Sequence, residues 1–364
     1  MSRCFRSRRS GASLRTLAAA CGLCLLLILG AVPGTGQAPE LSTIRPEDAG
    51  AAGGQLERLH SLLVSRDGEL LLEEYYRGRT ASHPANIKSA SKSVISALVG
   101  IAIDRGLIPH VRQPIGGYFP ELLGGEENRA RRGITIEDLL TMRSGLETTS
   151  NRNYGPWVLS PNWVRHALGR PMEAEPGTRM IYSTGSTHLL SAILTRVSGS
   201  DTRRFAQEAL ATPLGFPLDS WTRDPQGIYF GGNEMSMTPR QMLAFGELYV
   251  NGGRNPDGTQ VISEDWVRAS FVARTASGRE RGRFYGYGWW IREMAGYAAH
   301  YAWGYGGQFI FVVPGLDLVV VTTSDSTPGE ERREHLGRVY ELVEDRIVAP
   351  VAAAERAPRS TASR

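Results

Sequence analysis

Apolar positions along the chain follow two periods. The sequence 62–66 reads LLVSR, and the polar pair Asp67-Gly68 then separates it from 69–76, ELLLEEYY. Helical spacing over 55–63, followed by strands over 62–66 and 69–76, predicts a helix leading into a hairpin turned at Asp67-Gly68. From Ser89 to Asp104 the apolar residues Val94, Ile95, Leu98, Val99, Ile101, Ala102 and Ile103 cover most of a helical circumference, and Gly106 closes the segment. A helix with that pattern is buried on nearly all sides. Between 114 and 284 the spacing stays helical, over 135–142, 187–197, 202–210, 239–250 and 263–272, with Ser, Thr or Asp at most starts. The period then shortens to that of strands over 285–291, 297–303, 308–313 and 316–323, with Pro314-Gly315 as the clearest turn. An amphipathic helix over 330–347 follows, and the Ala, Pro, Arg and Ser of 349–364 read as a disordered tail.

Strands and a helix at both ends with helices between them predict a mixed α/β (α+β) fold. An antiparallel sheet is flanked by N- and C-terminal helices and interrupted by an inserted, mainly helical domain. The segments are 39–113 and 285–348 for the two parts of the α/β domain and 114–284 for the helical domain. No internal repeat is present.

Residues 1–38 have the form of an export signal. Arg3, Arg6, Arg8, Arg9 and Arg15 occur without an acid, an apolar stretch runs over 17–32, and Pro33, Gly34 and Gly36 precede a small-residue cleavage region near Ala38. A cleaved signal, and so a periplasmic or extracellular protein, is expected; an uncleaved membrane anchor is the alternative. The formal net charge of +4 belongs to this leader. Without its five arginines, 36 basic residues face 37 acidic ones, which excludes nucleic acid or an anionic membrane as a charge-selected partner. All three cysteines (Cys4, Cys21 and Cys24) also fall in it, so the rest of the chain has no disulfide, thiolate metal site or cysteine nucleophile.

Of 41 basic residues only Lys88 and Lys92 are lysines. Lys88 is expected to be a solvated loop charge. Lys92 completes Ser89-Ala90-Ser91-Lys92, an S-x-x-K motif at the start of the buried helix. Residues i and i+3 share a helix face, so the amine reaches the hydroxyl; burial favours the neutral amine a general base needs, and the helix N-terminus favours an oxyanion. Ser-x-x-Lys is short enough to arise by chance. The buried helix sharpens it, because an unpaired lysine there is costly.

Two further stretches complete a set. Tyr182-Ser183-Thr184 precedes a helix, and Trp303-Gly304-Tyr305-Gly306-Gly307-Gln308 precedes a strand. With Ser89 to Lys92, and with the segment ITIEDLLTMRSGL at 134–146, they resemble the serine β-lactamase and penicillin-binding superfamily over roughly residues 45–345. The resemblance is nearest to its class C-like branch of family VIII esterases, D-peptidase relatives and 6-aminohexanoate-dimer hydrolases. It implies Ser89 as nucleophile, Lys92 as base and Tyr182 as proton donor to the leaving group. The backbone N–H groups of Ser89 and Gln308 would form the oxyanion hole, and Tyr305, Gly306, Gly307 and Thr184 would line the substrate site.

The departures bear on substrate. Thr184 replaces the Asn of Y-x-N, and Tyr305-Gly306-Gly307 lacks the Lys of K-T-G, which argues against efficient β-lactam hydrolysis. His300 and Arg292 lie close in sequence and are read as exposed strand residues. The aromatics from Tyr285 to Tyr305 are read mainly as sheet packing, and Trp157, with Tyr154 and Trp163, as a substrate lid.

No serine has glycine at both −2 and +2, no HExxH occurs among the seven histidines, and no glycine-rich phosphate loop opens a helix. No metal and no cofactor is therefore expected. The sequence predicts a serine hydrolase forming an acyl-enzyme with a small ester or amide. A D-amino-acid peptidase or D,D-carboxypeptidase of cell-wall peptides, or a weak β-lactamase, is the alternative, and a non-catalytic binding protein on the same fold is the alternative from another class. Oligomeric state is not legible.

Overall fold

The computed structural model describes residues 45–278 and 280–357; the expected leader, its cleavage region, the three cysteines and residues 358–364 lie outside them. The strands in chain order are β1 (Leu59–Arg66), β2 (Glu69–Tyr75), β3 (Ala85–Asn86), β4 (Ser236–Met237), β5 (Thr275–Ala276), β6 (Phe284–Tyr285), β7 (Trp290–Met294), β8 (Tyr297–Gly304), β9 (Gln308–Val313) and β10 (Leu318–Ser324). Eight of them form one antiparallel sheet in the order β2-β1-β10-β9-β8-β7-β6-β5, and β3 and β4 form a separate pair. The helices are α1 (Pro46–Gly54), α2 (Ser91–Asp104), α3 (Arg129–Gly133), α4 (Ile136–Leu140), α5 (Tyr154–Val158), α6 (Trp163–Leu168), α7 (Thr184–Ser198), α8 (Thr202–Ala206), α9 (Pro239–Val250), α10 (Glu264–Ser270), α11 (Arg332–Val343) and α12 (Ala349–Arg356). Among the described residues no helix is long and apolar enough to cross a membrane.

Strand alternation divides the core into two. Ile310 and Val312 of β9, with Val319 and Val321 of β10, face α2, α7 and α9; Phe309, Phe311, Leu318 and Val320 face α11 and α12. The terminal strands β1 and β10 are neighbours, so residues far apart in sequence meet within the sheet: the Ser61 and Thr323 hydroxyls are 2.6 Å apart. α4 and α9 begin with capping boxes, Thr135 with Asp138 and Thr238 with Gln241. α2 is buried continuously from Ser91 to Ala102, as its apolar circumference requires.

Four expectations change. The strand expected over 285–291 is split into β6 and β7 by a turn that includes Gly288 (φ 78°). The first helix lies at 46–54, with Pro46 in its first turn, and 59–63 already belong to β1. An apolar run this dense satisfies both periods; pairing with β10 decides it. Of the expected disordered tail, 349–356 instead form α12, because Val351 and Ala352 pack into the α11 face of the core and Glu355 pairs with the buried Arg66. The final helix widens at Glu344–Val348 into a π turn where one segment meets the next.

Packing is tight where α2 crosses α10. A Cβ on Gly100 would lie 2.5 Å from the Trp266 indole. Gly100→Ala is expected to destabilise the fold by about 1–3 kcal/mol through overpacking, outweighing the roughly 1 kcal/mol of helix propensity gained. Denaturant unfolding checks this; a midpoint at or above that of the unsubstituted protein contradicts it.

Candidate active site

The segment before α2 is held on both sides. β3 pairs with β4, Ile87 N–H donates to the Met235 carbonyl (2.9 Å), and Gly304 of β8 lies so close to the Ile87 carbonyl that a Cβ would stand 2.0 Å from it. Lys88 then takes a left-handed conformation (φ 52°) and opens a single 3₁₀ turn over Lys88–Ala90. Ser89, expected to begin the α-helix, sits in this turn, half-buried. Ser91 starts the helix proper and donates its hydroxyl to the Lys88 carbonyl (2.8 Å).

The turn does not break the geometry that i, i+3 spacing required. Lys92 Nζ is 3.0 Å from Ser89 Oγ, donates to the Gly232 carbonyl at 2.7 Å and is 3.4 Å from Thr184 Oγ1. Its side chain is buried, and among the described residues no carboxylate pairs with it. Burial therefore lowers its pKa to about 7. The room for this amine comes from Gly232, where a Cβ would lie 2.5 Å from Thr187 Oγ1 and 3.0 Å from Lys92 Nζ.

Tyr182 reaches the same point from the segment before α7. Its carbonyl accepts from Thr148 Oγ1 (2.7 Å), and Ile181 N–H donates to the Met142 carbonyl (2.8 Å). Its ring centroid is 5.1 Å from Lys92 Nζ, and its hydroxyl lies close enough to Ser89 for that side chain to pull its pKa down slightly. Burial pushes the phenol up to about 12, against that smaller downward pull, so it holds its proton at neutral pH. The first N–H groups of α7 are satisfied by the Thr149–Ser150 loop: Thr184 N–H donates to Ser150 Oγ (2.9 Å) and Gly185 N–H to Thr149 Oγ1 (2.7 Å).

The third motif is the turn between β8 and β9. Gly306 (φ 91°) and Gly307 (φ 111°) hold it, and the Gly307 carbonyl accepts from Thr322 Oγ1 (3.0 Å) and Ser324 Oγ (3.2 Å). Tyr305 is exposed, with the Arg332 guanidinium 4.4 Å from its ring centroid. Gln308 is buried; its side-chain amide donates to the Ser324 carbonyl (2.7 Å) and accepts from the Ser324 N–H (3.1 Å). No hydrogen bond joins it to Ser89 among the described residues. Its side chain lines a polar cavity with His60, Arg79, His83 and Asp325.

The remaining candidates are placed differently from expectation. Trp157 is fully buried: its Nε1 donates to the Trp163 carbonyl (3.0 Å) and its ring packs edge-on against Phe230 at 5.4 Å, so it is core and not a substrate contact. Trp163 is buried beside it. Tyr154 is half-buried and accepts from Asn233 Nδ2 (2.8 Å). His300 is not exposed but stacks on Phe271 at 3.9 Å, and burial lowers its pKa to about 4. Arg292 is half-buried, 3.8 Å from Glu344. Lys88 is not a solvated charge; it pairs with Glu234 at 3.1 Å. The sequence assigns no role to Gly232, Glu234 or the Thr148–Ser150 loop. The Gly231-Gly232 pair is the one local sign of a close approach.

A hydroxyl beside an unpaired buried amine and a neutral phenol can be deprotonated and can attack an acyl carbon. Comparison with known proteins agrees with this chemistry. The family model described as Beta-lactamase matches residues 46–344. The chain belongs to the Beta-lactamase family. It is 26% identical over 310 residues to the 6-aminohexanoate-dimer hydrolase of Paenarthrobacter ureafaciens, covering 76% of this chain and 74% of that one. The solved structure of EstCE1, a hydrolase with promiscuous acyltransferase activity, superposes with a TM-score of 0.69 at 17% identity, over 83% of this chain and 98% of that one. An octameric penicillin-binding protein homologue from Pyrococcus abyssi gives 0.61 at 17%, over 80% and 74%. Both share the fold. As a member of this family the chain is a serine hydrolase of esterase or amidase type.

Titration of the amine tests the site directly. The reactivity of Lys92 toward acetic anhydride, followed against pH by peptide mass spectrometry, should rise through about 7, far below an ordinary lysine near 10.4. A midpoint near 10 contradicts the burial described.

Proposed function

We propose that the protein hydrolyses a small ester or amide through an acyl-enzyme on Ser89. The observation that carries this reading is the buried, unpaired Lys92 amine 3.0 Å from Ser89 Oγ. Above its pKa the amine takes the hydroxyl proton as Oγ bonds to the acyl carbon. Tyr182, still protonated at neutral pH, gives its proton to the leaving alcohol or amine and is reprotonated from Lys92. The oxyanion is met by the Ser89 N–H and, by its place after the third motif, the Gln308 N–H; loss of one such donor typically costs about 100- to 1000-fold in rate. Water then adds to the acyl carbon, and the carboxylic acid leaves as the Ser89 hydroxyl is restored.

An organophosphonate should label Ser89 and fail to label Ser89→Ala, with a labelling rate that rises through pH 7 as Lys92 loses its proton. Absence of label in the folded protein overturns the mechanism.

A second reading has one observation in its favour. Arg332 brings a guanidinium to the third motif, where Tyr305 stands in place of a cation, and no carboxylate pairs with it among the described residues. A substrate with a free carboxylate, such as a peptide ending in D-Ala or an aminohexanoate dimer, would find its partner there. Arg332→Met should then raise KM for such a substrate roughly tenfold relative to a neutral p-nitrophenyl ester, as loss of one charged hydrogen bond implies. Equal KM changes for both substrates leave the neutral ester or amide reading standing alone.

A further inference from the structure

Both lysines of the described chain grip the same loop. Lys92 donates to the Gly232 carbonyl (2.7 Å), and two residues further on Glu234 receives Lys88 Nζ at Oε1 (3.1 Å) and Asn86 Nδ2 at Oε2 (2.6 Å). The Asn86 carboxamide oxygen in turn accepts the Lys88 N–H (3.0 Å). One carboxylate thus ties the segment that ends in Ser89 to the loop that holds Lys92. Lys88 (φ 52°) and Glu234 (φ 53°) are both left-handed, a conformation that ordinary side chains adopt only when their surroundings impose it. Strain of this kind on both sides of one ion pair, beside a reactive centre, marks a device of positioning.

The chemistry of the amine says what is being positioned. A neutral amine has two N–H donors and one lone pair. Gly232 O and Thr184 Oγ1 stand where two donors are used, and the third neighbour of Nζ is Ser89 Oγ. When both donors are held, the lone pair is left facing the hydroxyl it must deprotonate. If the Gly232 carbonyl moves, the amine turns and offers Ser89 an N–H in place of the lone pair.

We propose that Lys88 and Glu234 are positioning residues whose ion pair fixes the Gly232 carbonyl and through it the direction of the Lys92 lone pair. The inference rests on the acyl-enzyme reading, so labelling of Ser89 by an organophosphonate in the unsubstituted protein is measured first; its absence defeats that reading and leaves nothing for the pair to position.

With that label in hand, labelling rates, kcat and KM are measured for Lys88→Met, Lys88→Arg, Glu234→Gln, Glu234→Gly and the double variant Lys88→Met/Glu234→Gln, each with its thermal midpoint. The expected result is a fall of roughly 10- to 100-fold in kcat and labelling rate for Lys88→Met and Glu234→Gln, with KM within about twofold. Lys88→Arg keeps the charge and most of the rate. The double variant is no slower than the worse single one, because both remove the same contact. Glu234→Gly relieves the left-handed backbone, so its fold is retained while its rate still falls, which separates positioning from stability. Unchanged kcat in folded Lys88→Met and Glu234→Gln overturns the proposal. So do strictly multiplicative losses in the double variant, or a rise in KM at constant kcat, which would make Lys88 a substrate contact instead.

Discussion

The site depends on a buried amine whose proton is held only weakly. Lys92 titrates near 7 in the folded chain, while an unfolded lysine titrates near 10.5. The unfolded state therefore binds more protons between those values, and stability rises with pH across that window. Below pH 7 the full penalty applies, on the order of 4–5 kcal/mol relative to a lysine left in water. A penalty of that size selects its surroundings: a helix buried on all sides behind the amine, a glycine where any side chain would collide with it, and, among the described residues, no carboxylate paired with it to restore its charge. Arginine could not stand in for it, since a guanidinium keeps its proton whatever its burial.

The fold delivers the partners of that amine from separate elements. The Ser89 turn is wedged between the β3–β4 pair and the end of β8; Tyr182 is fixed by Met142 and Thr148; the third motif is fixed from behind by β10 through Thr322 and Ser324. The aromatic residues around Tyr182 serve the same end by packing. Trp290 stacks on it at 5.7 Å, Tyr285 meets it edge-on at 6.3 Å, and Arg283 caps Trp290 and Trp303 at 5.6 and 5.5 Å. Such contacts limit where the phenol oxygen can go.

Much of this was legible in the sequence because it is local. The α2 circumference, the hairpin at Asp67-Gly68 with both residues left-handed, the capping residues Thr135 and Thr238, and the Ser89–Lys92 spacing all depend on neighbours a few positions apart. What escaped depends on distant partners. The Lys88–Glu234 pair spans 146 positions, and nothing near Lys88 announces a carboxylate. Trp157 sits among polar and turn residues, as a lid would, and its packing against the distant Phe230 and His188 shows it to be core. An Ala-rich C-terminal stretch resembles a solvated tail until the β-sheet face that receives Val351 is known.

The pairing of β1 with β10 also constrains the order in which the molecule can assemble. Ser61 and Thr323 are 262 positions apart, and their ladder closes a loop that contains every helix of the inserted part. Loop closure of that length is entropically unfavourable until the intervening chain has already condensed, and topologies rich in such distant pairings fold slowly. Ser89 and Lys92 are among the first residues of the described chain to leave the ribosome, yet the strands that frame the third motif are among the last. Ser89 and Lys92 must therefore wait, with an apolar helix behind them, for a strand that follows much later in the chain.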